Sequence, residues 1–168
     1  MHKGAIIFAF FIAAASLAAF TAVKSGRNLQ REEPRIVPTI NNTQEKRGTL
    51  NIEGKVEFKV DFAATPEQRT QGLSDREYLA ADEGLLFVFQ SPGRHSFWMK
   101  DMNFAIDIIW IDENKSVVDI SENASPESYP DYAFSSSQEA LYVLEINGGL
   151  VQKYGIKVGD SLILTNGY

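Results

Sequence analysis

Two carboxylates sit inside otherwise apolar runs: Asp107 in "FAIDIIWI" (104–111) and Glu145 in "ALYVLEI" (140–146). Acids placed there can do chemistry. If the two lay within about 5–10 Å of each other in an open cleft, they could act as general acid and base in a hydrolase or lyase. A bare carboxylate away from water is strongly unfavourable, so Asp107 is expected to find a cation. The candidates are Arg69, Arg76, Arg94, Lys100 and His95. Arg69 and Arg76 flank "TQGLSD", and a guanidinium from that region could hold a carboxylate with two parallel hydrogen bonds. Two readings follow. In one, Asp107 belongs to a core ion pair that fixes strand register. In the other, Arg69, Arg76, Lys100, Asp107 and Glu145 floor a polar pocket walled by Trp98 and neighbouring aromatics, which would suit a small polar ligand such as a sugar or an envelope component.

Other familiar chemistries are absent. The chain has no cysteine, which removes disulfides, thiolate metal sites, a cysteine nucleophile and a lipidated cysteine. His95 is the only histidine after His2 and stands beside a turn, so no metal site is expected. Asp112, Glu113, Asp119 and Glu122 do not follow a calcium-loop spacing. Ser135–Ser137 lacks the glycine frame of a nucleophile elbow, and the glycine turns lack the context of a phosphate cradle. No cofactor is implied, and no catalytic motif identifies an enzyme.

The elements that must position these residues are mostly strands. "VEFKVDFA" (56–63) alternates, with Val56, Phe58, Val60 and Phe62 on one side. "TPEQRTQG" then carries a capping box, Thr65 with Gln68, a proline at the first helical position and a stop at Gly72. "GLLFVF", "HSFWM", "FAIDIIWI", "SVVDI", "ALYVLEI" and "DSLILT" read as further strands. "NGGLVQKYG" reads as a turn and short helix, and 121–137 as a long loop. The expected fold is mainly β, a compact antiparallel sandwich or small barrel with one or two short helices. A parallel sheet is not expected, because alternating βαβ units are absent.

The N-terminus is different. Ala5–Val23 is 19 residues without a charge, preceded by His2 and Lys3. As a helix it would cover roughly 28 Å, close to a bilayer's hydrocarbon thickness. Residues 1–25 are therefore expected to be a signal or transmembrane anchor, and 26–48 a flexible linker to a single domain over 49–168. Lys24, Arg27 and Arg31 after the span lean against export on a positive-inside count. The short basic start and Ala-rich end favour it. The expectation is an exported domain, periplasmic or extracellular, either membrane-anchored or released by cleavage. Residues 49–168 hold 9 basic against 19 acidic residues, a net of −10. Such a domain has no electrostatic footprint for nucleic acid.

Three ordered blocks, "RTQGLSDREYLAADEGLLFVF" (69–89), "FWMKDMNFAIDIIWID" (97–112) and "VLEINGGLVQKYGIKVGDSL" (143–162), together resemble the bacterial and archaeal family called domain of unknown function 192. Its pattern runs R-x-x-G-L, G-M-L-F, F-W-M-K-N-T, L-D-I-I-F-I-D, then V-L-E with G-I-x-x-G-D. Arg69, Gly72, Leu73, Arg76, Gly84, Phe97, Trp98, Met99, Lys100, Asp107, Glu145, Gly155, Gly159 and Asp160 fall on matching positions. Leu85, Asp101–Met102 and Ala105 depart from it, standing where methionine, Asn-Thr and proline are usual. The resemblance implies a mostly β domain, often behind a signal or anchor, and no established reaction.

Overall fold

The structure, a computed structural model, describes residues 47–165. The expected anchor and nearly all of the expected linker lie outside these residues. Among the described residues no helix is long and apolar enough to cross a membrane.

Nine strands form among the described residues: β1 (Arg47–Ile52), β2 (Val56–Ala63), β3 (Glu83–Gly93), β4 (Ser96–Phe97), β5 (Ile106–Ile111), β6 (Val117–Ala124), β7 (Phe134–Ser135), β8 (Ala140–Asn147) and β9 (Leu162–Thr165). Two short helices join them, α1 (Pro66–Gln71) and α2 (Leu150–Tyr154). Seven strands make one curled sheet in the order β6-β5-β8-β3-β2-β1-β9, and β4 pairs with β7 in a small ribbon. The fold is mainly β, as expected. Its strands form a single curled sheet rather than two stacked ones, so the sandwich alternative gives way to a barrel-like form. The two edges meet at an isolated bridge, Ser116 to Ser161. Backbone bonds from Val117 N to Asp160 O and from Leu162 N to Lys115 O reinforce the seam.

One pair departs from the otherwise antiparallel sheet. β2 and β3 pair in parallel, Asp61 opposite Leu85 and Phe62 opposite Leu86. The chain between them, carrying α1, is a crossover, which parallel neighbours require. The six-residue helix was legible, but the loop that completes the crossover has no helical period to announce it. The 121–137 stretch also holds more structure than expected. β6 runs on to Ala124, a 3-10 turn covers Pro126–Ser128, and β7 lies within it.

Alternation along each strand divides the apolar residues between two faces. The concave face packs Leu50, Phe58, Val60, Leu86, Ile109 and Leu144. The convex face packs Leu73, Phe87, Ile108, Trp110 and Val143 beneath the loops. All six residues of β5 are buried, because both its faces are covered. Full burial of each large apolar side chain contributes about 1.5–3 kcal/mol.

Candidate functional site

Each carboxylate of the opening pair follows from this alternation. Glu145 is opposite Leu85 and Ile108, whereas Asp107 is opposite Ile146. Ile108 packs on the convex face and Ile146 on the concave one. Asp107 and Glu145 therefore project to opposite sides of the sheet and cannot share a substrate. This removes the acid/base reading of the pair.

Asp107 is fully buried, but no cation among the described residues meets it. Its Oδ1 accepts from Asn123 N at 2.8 Å and Gly149 N at 3.1 Å, and its Oδ2 from Val151 N at 2.8 Å. The expectation of a guanidinium or ammonium partner is thus corrected. Three backbone N–H groups converge on one carboxylate, two of them from the first turn of α2. The N-cap of α2 is Gly149, which has no side chain to cap with. Asp107 supplies the missing acceptor from a neighbouring strand. Gly148 makes the approach possible, since a Cβ there would lie 2.9 Å from Asn123 Oδ1 and 3.2 Å from Ala105 O.

Glu145 has the opposite character. It is 6% exposed. Among the described residues no group donates a hydrogen bond to its carboxyl and none forms an ion pair with it. Burial pushes its pKa up to about 8, opposed only by the charge of Arg76 nearby. At neutral pH it holds its proton. It lines the floor of an open cleft of about 510 Å³ on the convex face.

Three pieces of chain build the cleft. The first is α1. Thr65 Oγ1 accepts from Gln68 N, and Gln68 Oε1 accepts from Thr65 N, closing the expected capping box. Gly72 ends the helix with φ +50°, and a Cβ there would sit 3.4 Å from the Phe87 ring. The second is the following loop, pinned by Asp75 N to Asp101 O at 2.8 Å and by Asn147 Nδ2 to Leu79 O at 2.9 Å. The third is the end of β3 and the turn into β4, with its aromatic backing. Phe97 stands edge-on to Phe87 at 4.9 Å and to Trp110 at 6.3 Å.

The mouth of the cleft is basic. Arg69 donates through Nη1 to Ala64 O and Val88 O and lies 5.3 Å from the Phe89 ring. His95 stacks on that same ring at 3.4 Å. Burial lowers the His95 pKa below its ordinary value; the Ala140 carbonyl opposes this and Arg69 adds to it. Arg94 lines the mouth, exposed. Trp98, 63% exposed, forms the rim and meets Tyr129 edge-on.

So the structure brings Arg69, Trp98 and Glu145 of the expected pocket together, and leaves the other three outside. Arg76 faces an adjoining hollow and bonds Asp61 at 3.3 Å. Lys100 pairs with exposed Asp101 at 3.6 Å. Asp107 is on the far face. Phe87, Phe89, Arg94 and His95 were not expected in the pocket; the apolar strand running into "SPGRH" is the signal that could have pointed to them. Among the described residues no group of three or more His, Asp or Glu is placed to hold a metal ion.

The comparisons agree with this fold. The profile of DUF192, described as an uncharacterized ACR, matches residues 48–164. This chain belongs to the DUF192 family. A candidate transcription regulator from Sinorhizobium meliloti 1021 is similar in structure, with a TM-score of 0.65 and 30% identity, over 70% of this chain and 93% of that one. A protein of unknown function from Novosphingobium aromaticivorans DSM 12444 gives 0.64 and 32%, over 68% and 83%. No curated protein matches the chain. Membership in DUF192 carries no reaction with it.

Proposed function

We propose that the domain is a binding module for a small polar ligand, held in the convex-face cleft. One observation carries this: the Glu145 carboxyl, 6% exposed, faces an open cleft and accepts no hydrogen bond from any described residue. Kept protonated by burial at the base of an open cleft, this carboxyl is a hydrogen-bond donor that a ligand acceptor can engage in place of water. Aromatic walls with few polar groups are the usual make-up of such sites. In this reading the domain is exported, with Ala5–Val23 as its signal or anchor and the membrane as its partner through that segment. The regulator name attached to the Sinorhizobium protein suggests a nucleic-acid role, but a net of −10 over 49–168 argues against nucleic acid as this domain's ligand.

The test is a thermal-shift screen of the full chain against sugars, peptidoglycan fragments, organic acids, amines and divalent metals. A ligand that binds only the folded state raises its melting temperature. Thr70 lines the cleft from an exposed position on α1, so Thr70→Trp crowds its entrance without touching the core. The expected result is a stabilising class whose effect Thr70→Trp abolishes. No stabilisation by any class, or stabilisation that survives Thr70→Trp, would sink the reading.

A further inference from the structure

We infer that the cleft takes an amphipathic organic anion, with its anionic group on Arg69 and Arg94, its apolar body along Phe87, Phe89 and Phe97, and a hydrogen-bond acceptor against the Glu145 carboxyl. This rests on the binding reading above and names its ligand class. The first ground is charge. In a domain of net −10, neither Arg69 nor Arg94 forms an ion pair with any described residue. Arg69 spends only Nη1 on backbone carbonyls, which leaves Nε and Nη2 for another acceptor. Guanidinium groups without carboxylates beside aromatic rings suit a carboxylate or phosphate on a flat apolar body.

The second ground is the far end. A carboxyl that keeps its proton donates a hydrogen bond and does not repel an anion. The titratable groups around Glu145 favour that state only in part. Arg76 draws it toward ionisation, but Arg76 is engaged by Asp61, and no other cation contributes to its shift. Asp61 is two strands away, beyond Leu85. At the mouth, His95 is already neutral below the range in which Glu145 titrates. The third ground is length. Phe89, beside Arg69, is four residues along β3 from Leu85, the cross-strand partner of Glu145. At the rise of a strand that is roughly 13 Å, room for a ring with a short acidic arm.

The probe is 3-(4-hydroxyphenyl)propionate, titrated calorimetrically into the full-length protein beside its neutral amide and tyramine. The acid is expected to bind at least roughly tenfold more tightly than either. Arg94→Ala, at an exposed position with no partner to lose, weakens the acid by roughly tenfold. With Glu145 near 8, the acid's affinity falls about tenfold from pH 7 to pH 9. Glu145→Gln holds affinity at pH 7 and flattens that fall. Tighter binding of tyramine, an acid indifferent to Arg94→Ala, or affinity that climbs with pH would overturn the anion assignment while leaving a small-molecule site intact. Silence from all three probes overturns it as well; if the broad screen is also silent, the cleft reading falls with it.

Discussion

Glu145 and Asp107 are one residue out of register on adjacent strands, and that single step puts a sheet between them. Glu145 faces Ile108 and an open cleft, while Asp107 faces Ile146 and the closed side. The same functional group thus has two unrelated jobs. One carboxylate is fully satisfied by backbone amides, and the other is left without a protein donor.

Asp107→Ala is expected to destabilise the domain by about 3–5 kcal/mol, because three N–H groups, Val151's buried and those of Asn123 and Gly149 partly so, lose their acceptor at once. Asp107→Asn should recover part of this, since its amide oxygen still accepts while its NH2 faces donors. Urea unfolding of the two variants beside the parent decides it. A loss below about 1 kcal/mol for Asp107→Ala would mean the amides find water instead.

Glu145 predicts a slope in stability against pH. Its folded pKa, about 8, is raised above the ordinary 4.5 by burial, so the folded state binds the extra proton. Stability is fully present below about pH 4.5 and is lost as pH rises toward 8. Glu145→Gln should match the parent near pH 4 and exceed it near pH 9 by on the order of 3 kcal/mol. Parallel melting curves for the two proteins across that range would contradict the buried, unpartnered carboxyl.

Asp160 predicts the reverse slope. It is fully buried and bonds Lys55, with Lys157 N donating at 2.9 Å. Burial pushes its carboxyl up, but the Lys55 bond, the Lys157 amide and the Lys55 charge outweigh that and hold it below the ordinary value. Its contribution is therefore present at neutral pH and lost in acid. Lys55→Ala should cost about 2–4 kcal/mol at pH 7 by stranding a buried charge. The deficit should shrink as the pH falls through the carboxylate range, which melts from pH 7 to pH 2 will show.

The two tryptophans give an optical check. Trp110 is fully buried and Trp98 is 63% exposed on the cleft rim. Trp98→Phe should leave a blue-shifted emission that iodide barely quenches. Any fluorescence response to a cleft ligand should vanish with it; a response that persists would place the ligand elsewhere.

The patterns written in local side chains were legible. The capping box of Thr65 and Gln68, the limits of β2 and the stop at Gly155 all depend on residues close in sequence, and each forms as its chemistry requires. Glu145 and Asp107 stood out for the same reason, as acids among aliphatics. What answered Asp107 could not be read, because amide N–H groups belong to every residue and leave no mark in the sequence. The division of Arg69 from Arg76 was equally hidden. They are seven residues apart, yet Gly72 turns the chain between them, so one reaches the cleft and the other Asp61.

The pairing of β1 with β9 has a consequence for how such a unit could be handled. Thr49 lies directly across from Thr165, so the chain enters the domain and leaves it at one spot. A unit of this kind can be grafted into a surface loop of an unrelated host. Its two ends can also be tied by a short glycine tether and the ring reopened at the Glu113–Asn114 turn, with every strand keeping its neighbours. A permutant cut there should melt within a few degrees of the parent.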